Sequence, residues 1–300
     1  MFEFPKVVEI REVGTRDGLQ NEETFIATAD KIKLINLLSK TGLNYIEATA
    51  FVHPKWIPAL SDAQAVMSRI EKKPKVKYAA LVPNIRGFER ALESSVDEMA
   101  LFLSASESHN KSNLNTTISE SLNNITKIAK EASKYNVRLR GYISTVFGCP
   151  YEGKVSTQQV KKIAQELIAI GVEEISLGDT IGVANPLQVK AVLKELLQVI
   201  SPNQLALHFH DTYGRAIANV YAGLEMGIYK YDSSLGGLGG CPYAPGASGN
   251  VATDDLNHFL NEMGISTNID QSKLFEATQF IQKKLNKPIS SHVFKVMEKA

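Results

Sequence analysis

Apolar residues along this chain fall into short, β-branched runs that alternate with longer segments of helical spacing. Eight runs read as strands: residues 7–13, 45–51, 77–82, 98–103, 138–145, 173–178, 204–210 and 229–235. Between them, apolar positions recurring every three or four residues predict helices such as 28–40, 60–72, 119–135, 156–170, 186–200 and 214–226. Ser119, Ser156 and Asn185, the last followed by Pro186, are suitable helix starts. Strands that take turns with helices are parallel strands joined by crossovers. Eight such units in 300 residues predict a closed (β/α)8 TIM barrel of the α/β class. An open doubly wound sheet is the competitor, but no Gly-x-Gly-x-x-Gly follows the first strand.

Past the eighth strand, helical patterns recur at 253–262 and 271–285. Residues 253–300 are expected to form a closing helix and a C-terminal helical appendage over one end of the barrel. No linker or low-complexity tract divides the chain, so residues 1–300 read as one catalytic barrel domain.

In such a barrel the chemistry sits at the C-terminal ends of the strands. The polar residues sort there. Arg16 and Asp17 follow the first strand, Glu47 lies late in the second and Asp179 follows the sixth. His208 and His210 close the seventh, and Cys241 and Asn250 lie beyond the eighth. Residues two apart on a strand share a face, so His208 and His210 look into one cavity. With Asp17 they make a mixed nitrogen and oxygen donor set, to which Asn250 could add an amide oxygen. Such a set suits Mg²⁺ or Mn²⁺. The two cysteines lack the spacing of a zinc cluster.

Arg16 is either one half of a structural ion pair or a fixed cation aimed at an oxygen that becomes anionic. Glu47, alone in an apolar strand, needs a partner, and Arg16 is the candidate. Whether Glu47 is structural or catalytic stays open at this level. Cys241 lies in a segment unusually rich in glycine, and long loops of that kind inside a domain are mostly functional. Ser106 is expected to be a polar liner of the pocket rather than a nucleophile, since no Gly-x-Ser-x-Gly accompanies it.

Charge and cysteine usage narrow the partners. Lys plus Arg (33) nearly balances Asp plus Glu (32), which leaves no basic footprint for nucleic acid or an anionic membrane. An anionic substrate must therefore be held by local groups. No apolar run is long enough to span a bilayer, and the first residues lack the features of a secretory signal. Cys149 and Cys241 do not form a disulfide framework. A reduced, cytoplasmic protein is the expectation.

Several segments together resemble the hydroxymethylglutaryl-CoA lyase family: Val13-Gly14-Thr15-Arg16-Asp17-Gly18-Leu19-Gln20-Asn21-Glu22, Arg140-Gly141-Tyr142, Ser176-Leu177-Gly178-Asp179-Thr180-Ile181-Gly182 and His208-Phe209-His210-Asp211-Thr212-Tyr213-Gly214. Gly237-Leu238-Gly239-Gly240-Cys241-Pro242-Tyr243-Ala244 looks like that family's active-site cysteine loop. The resemblance runs over nearly the whole chain. It implies cleavage of 3-hydroxy-3-methylglutaryl-CoA to acetyl-CoA and acetoacetate, with a divalent metal, Mg²⁺ or Mn²⁺, held at Asp17, His208, His210 and Asn250. It implies catalytic or supporting roles for Arg16, Asp17, Glu47, His208 and Cys241, and substrate contacts at Arg16, Gln20, Tyr142 and Asp179. A homodimer and a place in leucine breakdown come with the resemblance alone. The alternatives are a related lyase for a longer 3-hydroxy-3-methyl acyl-CoA, and a non-catalytic metal-binding scaffold.

Overall fold

Eight parallel strands close into a barrel in sequence order, each hydrogen-bonded to the next and the last to the first. They are β1 (Glu9–Glu12), β2 (Tyr45–Ala50), β3 (Lys77–Leu81), β4 (Glu98–Ser104), β5 (Arg138–Ser144), β6 (Glu174–Asp179), β7 (Leu205–Phe209) and β8 (Lys230–Ser233). The computed structural model describes residues 4–240 and 249–299. The TIM barrel expected from the alternation is the observed fold.

Outside the strands lie α1 (Thr28–Leu38), α2 (Ala63–Arg69), α3 (Ile85–Glu93), α4 (Glu107–Leu114), α5 (Ile118–Ala132), α6 (Thr157–Ala169), α7 (Pro186–Leu196), α8 (Ala216–Glu225) and α9 (Thr253–Glu262). Two more helices follow, α10 (Gln271–Leu285), which packs on α1, and α11 (His292–Met297), which packs on α9. Apolar side chains from the outer faces of the strands and the inner faces of the helices form one continuous core. No helix among the described residues is long and apolar enough to cross a membrane.

Local chemistry explains where the elements differ from the sequence pattern. The pattern over 60–72 resolves into a single 3₁₀ turn, Pro58–Leu60, followed by α2, which stops before Ile70 turns extended. Asp62 does not cap this helix, because its carboxylate is taken by Lys31 Nζ at 2.8 Å and Thr28 Oγ1 at 2.7 Å. α5 starts at Thr117 rather than Ser119: Thr117 and Glu120 exchange side-chain and backbone hydrogen bonds in a capping box. Ser156 stands at the start of α6 without a side-chain cap, whereas Asn185 accepts from Gln188 N ahead of Pro186.

The lower barrel interior is ionic. Glu174 accepts from Arg140 at 2.8 Å, Arg11 at 2.9 Å and Lys230 at 2.6 Å. Burial alone would raise its pKa, but the three cations outweigh that and hold it below the usual carboxylate range.

Candidate active site

After β1 the backbone makes one wide π-type turn, Gly14–Gly18, in which Asp17 N bonds Val13 O at 2.7 Å. Buried Glu12 fixes that turn, accepting from Gly14 N at 2.7 Å and from Leu235 N at 3.0 Å. Glycine at 14 lets the turn pack this closely, since a Cβ there would lie 2.3 Å from Leu235 Cδ2 and push that side chain aside. The turn delivers Arg16 and Asp17 to a cavity of about 990 Å³ at the C-terminal ends of the strands, which Gln20, Tyr142, His208 and His210 also line.

Arg16 is buried. Its Nε donates to Glu47 Oε1 and one Nη donates to Asp17 Oδ1, which leaves the second Nη without a hydrogen-bond partner among the described residues. Burial opposes the guanidinium's charge, but Glu47, Asp17 and Tyr142 override it and raise the pKa further. Arg16 is thus a permanent cation with a free donor. The Glu47 carboxylate is completed by Tyr142, whose hydroxyl donates to Oε2. The expected pairing of Arg16 with Glu47 is present.

Asp17, His208 and His210 bring one ligand atom each within 4.8 Å of one another. Burial works against ionisation of Asp17, yet Arg16, His208 and His210 hold its carboxyl well below the usual range. For His210, burial followed by the neighbouring His208 pushes the imidazole down to about 4, so it is neutral, as a metal ligand must be. Asn250 is held opposite His210 by an antiparallel bridge and donates from Nδ2 to Asp17 Oδ2 at 2.8 Å. Two buried polar atoms at this spot, His210 Nδ1 and Asn250 Oδ1, have no hydrogen-bond partner among the described residues. Orphaned buried acceptors beside a carboxylate are costly unless a cation meets them. The residues therefore fit a divalent metal.

The other expected site residues divide. Gln20 faces the cavity with Oε1 buried and without a hydrogen-bond partner among the described residues. Tyr142 lines the cavity with its ring, 5.4 Å below the Arg16 guanidinium carbon, while its hydroxyl is committed to Glu47 and Arg140. Ser106 and Asp179 are buried and do not line this cavity. Ser106 caps α4, accepting from His109 N at 3.2 Å, and its hydroxyl lies 2.9 Å from Cys149 Sγ. Asp179 staples the loop after β6, accepting from Val183 N at 2.9 Å and Ala184 N at 3.0 Å. Burial still pushes its carboxyl up to about 6 against those hydrogen bonds.

Cys241 lies outside the described residues. Gly240, just before it, lines the cavity. The approach to that point is anchored: Asp254 accepts from Gly236 N at 2.7 Å, and Ser290 Oγ donates to Gly236 O at 3.0 Å. Two buried residues that sequence reasoning gave no role stand directly beneath the site, Asp232 against His208 and Arg140 against Tyr142. The signal was there, since a charge inside a barrel strand requires a partner, but the partner could not be named.

Comparison with known proteins agrees with this geometry. The model of the HMGL-like family matches residues 7–281. A hydroxymethylglutaryl-CoA lyase of Bacillus subtilis is 54% identical over 98% of this chain and 99% of its own length. The crystal structure of Bacillus subtilis HMG-CoA lyase superposes with a TM-score of 0.97 at 54% identity, covering 98% of this chain and 99% of that one. An HMG-CoA lyase from Acinetobacter baumannii, solved in complex with coenzyme A and 3-methylmalate, superposes with a TM-score of 0.94 at 42% identity, covering 98% and 96%.

Proposed function

This chain belongs to the HMGL-like family, and on that premise we propose that it is a lyase cleaving 3-hydroxy-3-methylglutaryl-CoA to acetyl-CoA and acetoacetate. The observation that carries the reading is the convergence of Asp17, His208, His210 and Asn250 beside the Arg16–Glu47 pair on one cavity. A divalent cation held by those four residues, Mg²⁺ or Mn²⁺, supplies Lewis acidity that makes the tertiary hydroxyl of the substrate more acidic.

The chain's own residues do the rest. The hydroxyl proton passes to the Asp17 carboxylate on that wall, because His208, with its proton on Nδ1 and its other nitrogen given to the cation, has no lone pair left to take it. The oxygen's electrons form the ketone of acetoacetate as the carbon–carbon bond breaks, and the bonding pair moves onto the thioester as an enolate. The free Nη of Arg16 donates to that enolate oxygen, and Glu47 and Tyr142 keep the guanidinium from turning away. Gln20 binds the substrate through its unpartnered amide oxygen. Cys241 moves the proton that turns the enolate carbon into the methyl of acetyl-CoA. That role needs a free thiol, which fits a reducing cytoplasm as the compartment. The CoA bound to the Acinetobacter relative supports a CoA thioester as the substrate here. Family resemblance supports a homodimer and a place in leucine breakdown; light scattering tests the dimer.

The deciding experiment is an assay of acetyl-CoA release from 3-hydroxy-3-methylglutaryl-CoA with Mg²⁺ and after chelation. Metal-dependent release with equimolar acetoacetate is expected. Absence of release under metal-replete, reducing conditions would exclude this substrate and turn the search to longer 3-hydroxy-3-methyl acyl-CoA thioesters.

A further inference from the structure

A charged side chain inside a barrel is tolerated only when opposite charge and hydrogen-bonding groups meet it. Arg140 on β5 is fully buried and spreads its guanidinium over three acceptors. Nε donates to Glu174 at 2.8 Å, one Nη to Tyr142 Oη at 2.7 Å and the other to Asp232 Oδ1 at 2.6 Å. Asp232 on β8 is also buried, and its second oxygen lies 2.7 Å from Ser176 Oγ and 3.2 Å from His208 Nδ1. Tyr142 in turn donates its hydroxyl hydrogen bond to Glu47, which holds Arg16, which holds Asp17. The circuit closes at His208 Nε2, 4.0 Å from Asp17 Oδ2. Strand register builds it, placing Asp232 directly beside His208 and Tyr142 beside Ser176.

This arrangement decides where the proton of His208 sits. A carboxylate paired with Arg140 has only lone pairs to offer, so the bond to His208 requires the proton on Nδ1. The Nε2 lone pair is then free and faces Asp17. We propose that Asp232 and Arg140 are positioning residues of this site. Asp232 fixes the Nδ1–H tautomer of His208, and Arg140 grips Asp232 and Tyr142 together so that the histidine and Arg16 stay in register. Neither residue lines the cavity. The inference rests on the reading of Asp17, His208 and His210 as cation ligands, but the tautomer can be read without a cation.

The test begins with the ring nitrogens of His208 in ¹⁵N-labelled protein, metal-free and with Mg²⁺. The Nδ1–H tautomer is expected in both; an Nε2–H ring in the metal-free protein overturns the proposal with no variant needed. In Asp232→Asn the amide oxygen turns to Arg140 and the amide NH₂ to His208, which drives the ring proton to Nε2. Mg²⁺ affinity, measured by calorimetry, should fall about 10- to 100-fold while circular dichroism and melting show a folded barrel. Wild-type affinity with an unchanged tautomer would sink the role of Asp232. Arg140→Lys keeps the charge beside Asp232 but cannot also hold Tyr142, so kcat should drop with KM and Mg²⁺ affinity nearly unchanged; an unaltered kcat removes Arg140. Should the wild type bind no Mg²⁺ yet keep Nδ1–H, the cation reading fails and the positioning of His208 stands.

Discussion

At the scale of single residues, the site is a set of charges that could not be buried one at a time. Arg16 is acceptable at its depth because Glu47 and Asp17 flank it, and Glu47 because Arg16 and Tyr142 do. Removing one partner of such a pair strands the other, at about 3–5 kcal/mol. Arg16→Gln should therefore lower stability as well as turnover. On the proposed mechanism kcat falls about 10²- to 10³-fold with Mg²⁺ affinity kept within a few-fold, as steady-state kinetics and calorimetry would reveal. Turnover left intact would take Arg16 out of the reaction. On the same reading His208 is a cation ligand, so His208→Ala should show its loss first in a Mg²⁺ titration.

At the scale of elements, caps and turns decide what the apolar pattern leaves open. α4 carries almost no amphipathic signal, burying only His109 and Asn110, and it is held by the Ser106 cap and by Asn110 donating to Ser121 at 2.8 Å. That is why neither the helix nor the capping role of Ser106 could be read from residue spacing. α3 has no counterpart among the predicted segments, whereas α11 falls within the helical appendage expected over 253–300. The start of α5 is testable: Thr117→Ala removes the acceptor that holds Glu120 N at 3.1 Å. It should cost about 1 kcal/mol of stability in urea unfolding without touching activity. A loss of activity would mean that α5 positions the site.

At the scale of the whole molecule, buried carboxylates tie the first turn to the last strand and its closing helix. Glu12 accepts from Gly14 N, Leu235 N and Thr253 Oγ1, joining residues at both ends of the chain. Burial, only partly opposed by these hydrogen bonds, pushes its carboxyl up to about 7. An acid whose folded pKa is raised binds its proton more tightly when folded, so its contribution to stability falls as pH rises. The stability of the wild type relative to Glu12→Gln should decline from about pH 4.5 to about pH 7 and stay level above. A flat difference across that window would mean that Glu12 is ionised throughout. The same global view gives a cation test: Mg²⁺ at a hundred times its Kd should stabilise the fold by about 2.7 kcal/mol, an effect that His208→Ala abolishes.

The order of strands and helices, the barrel they imply and the clustering of Arg16, Asp17, Glu47, His208, His210 and Asn250 at strand ends were all legible in the chain, because periodicity and position along an element are local properties. Which charge meets which was not. Arg11 reaches Glu174 across 163 positions and Thr253 reaches Glu12 across 241. Asp232 and Arg140 gained their partners only when barrel closure and register brought distant strands to one level. Such pairings are set by the cost of leaving a buried charge or amide unmet, and that cost exists only once the chain has folded around it.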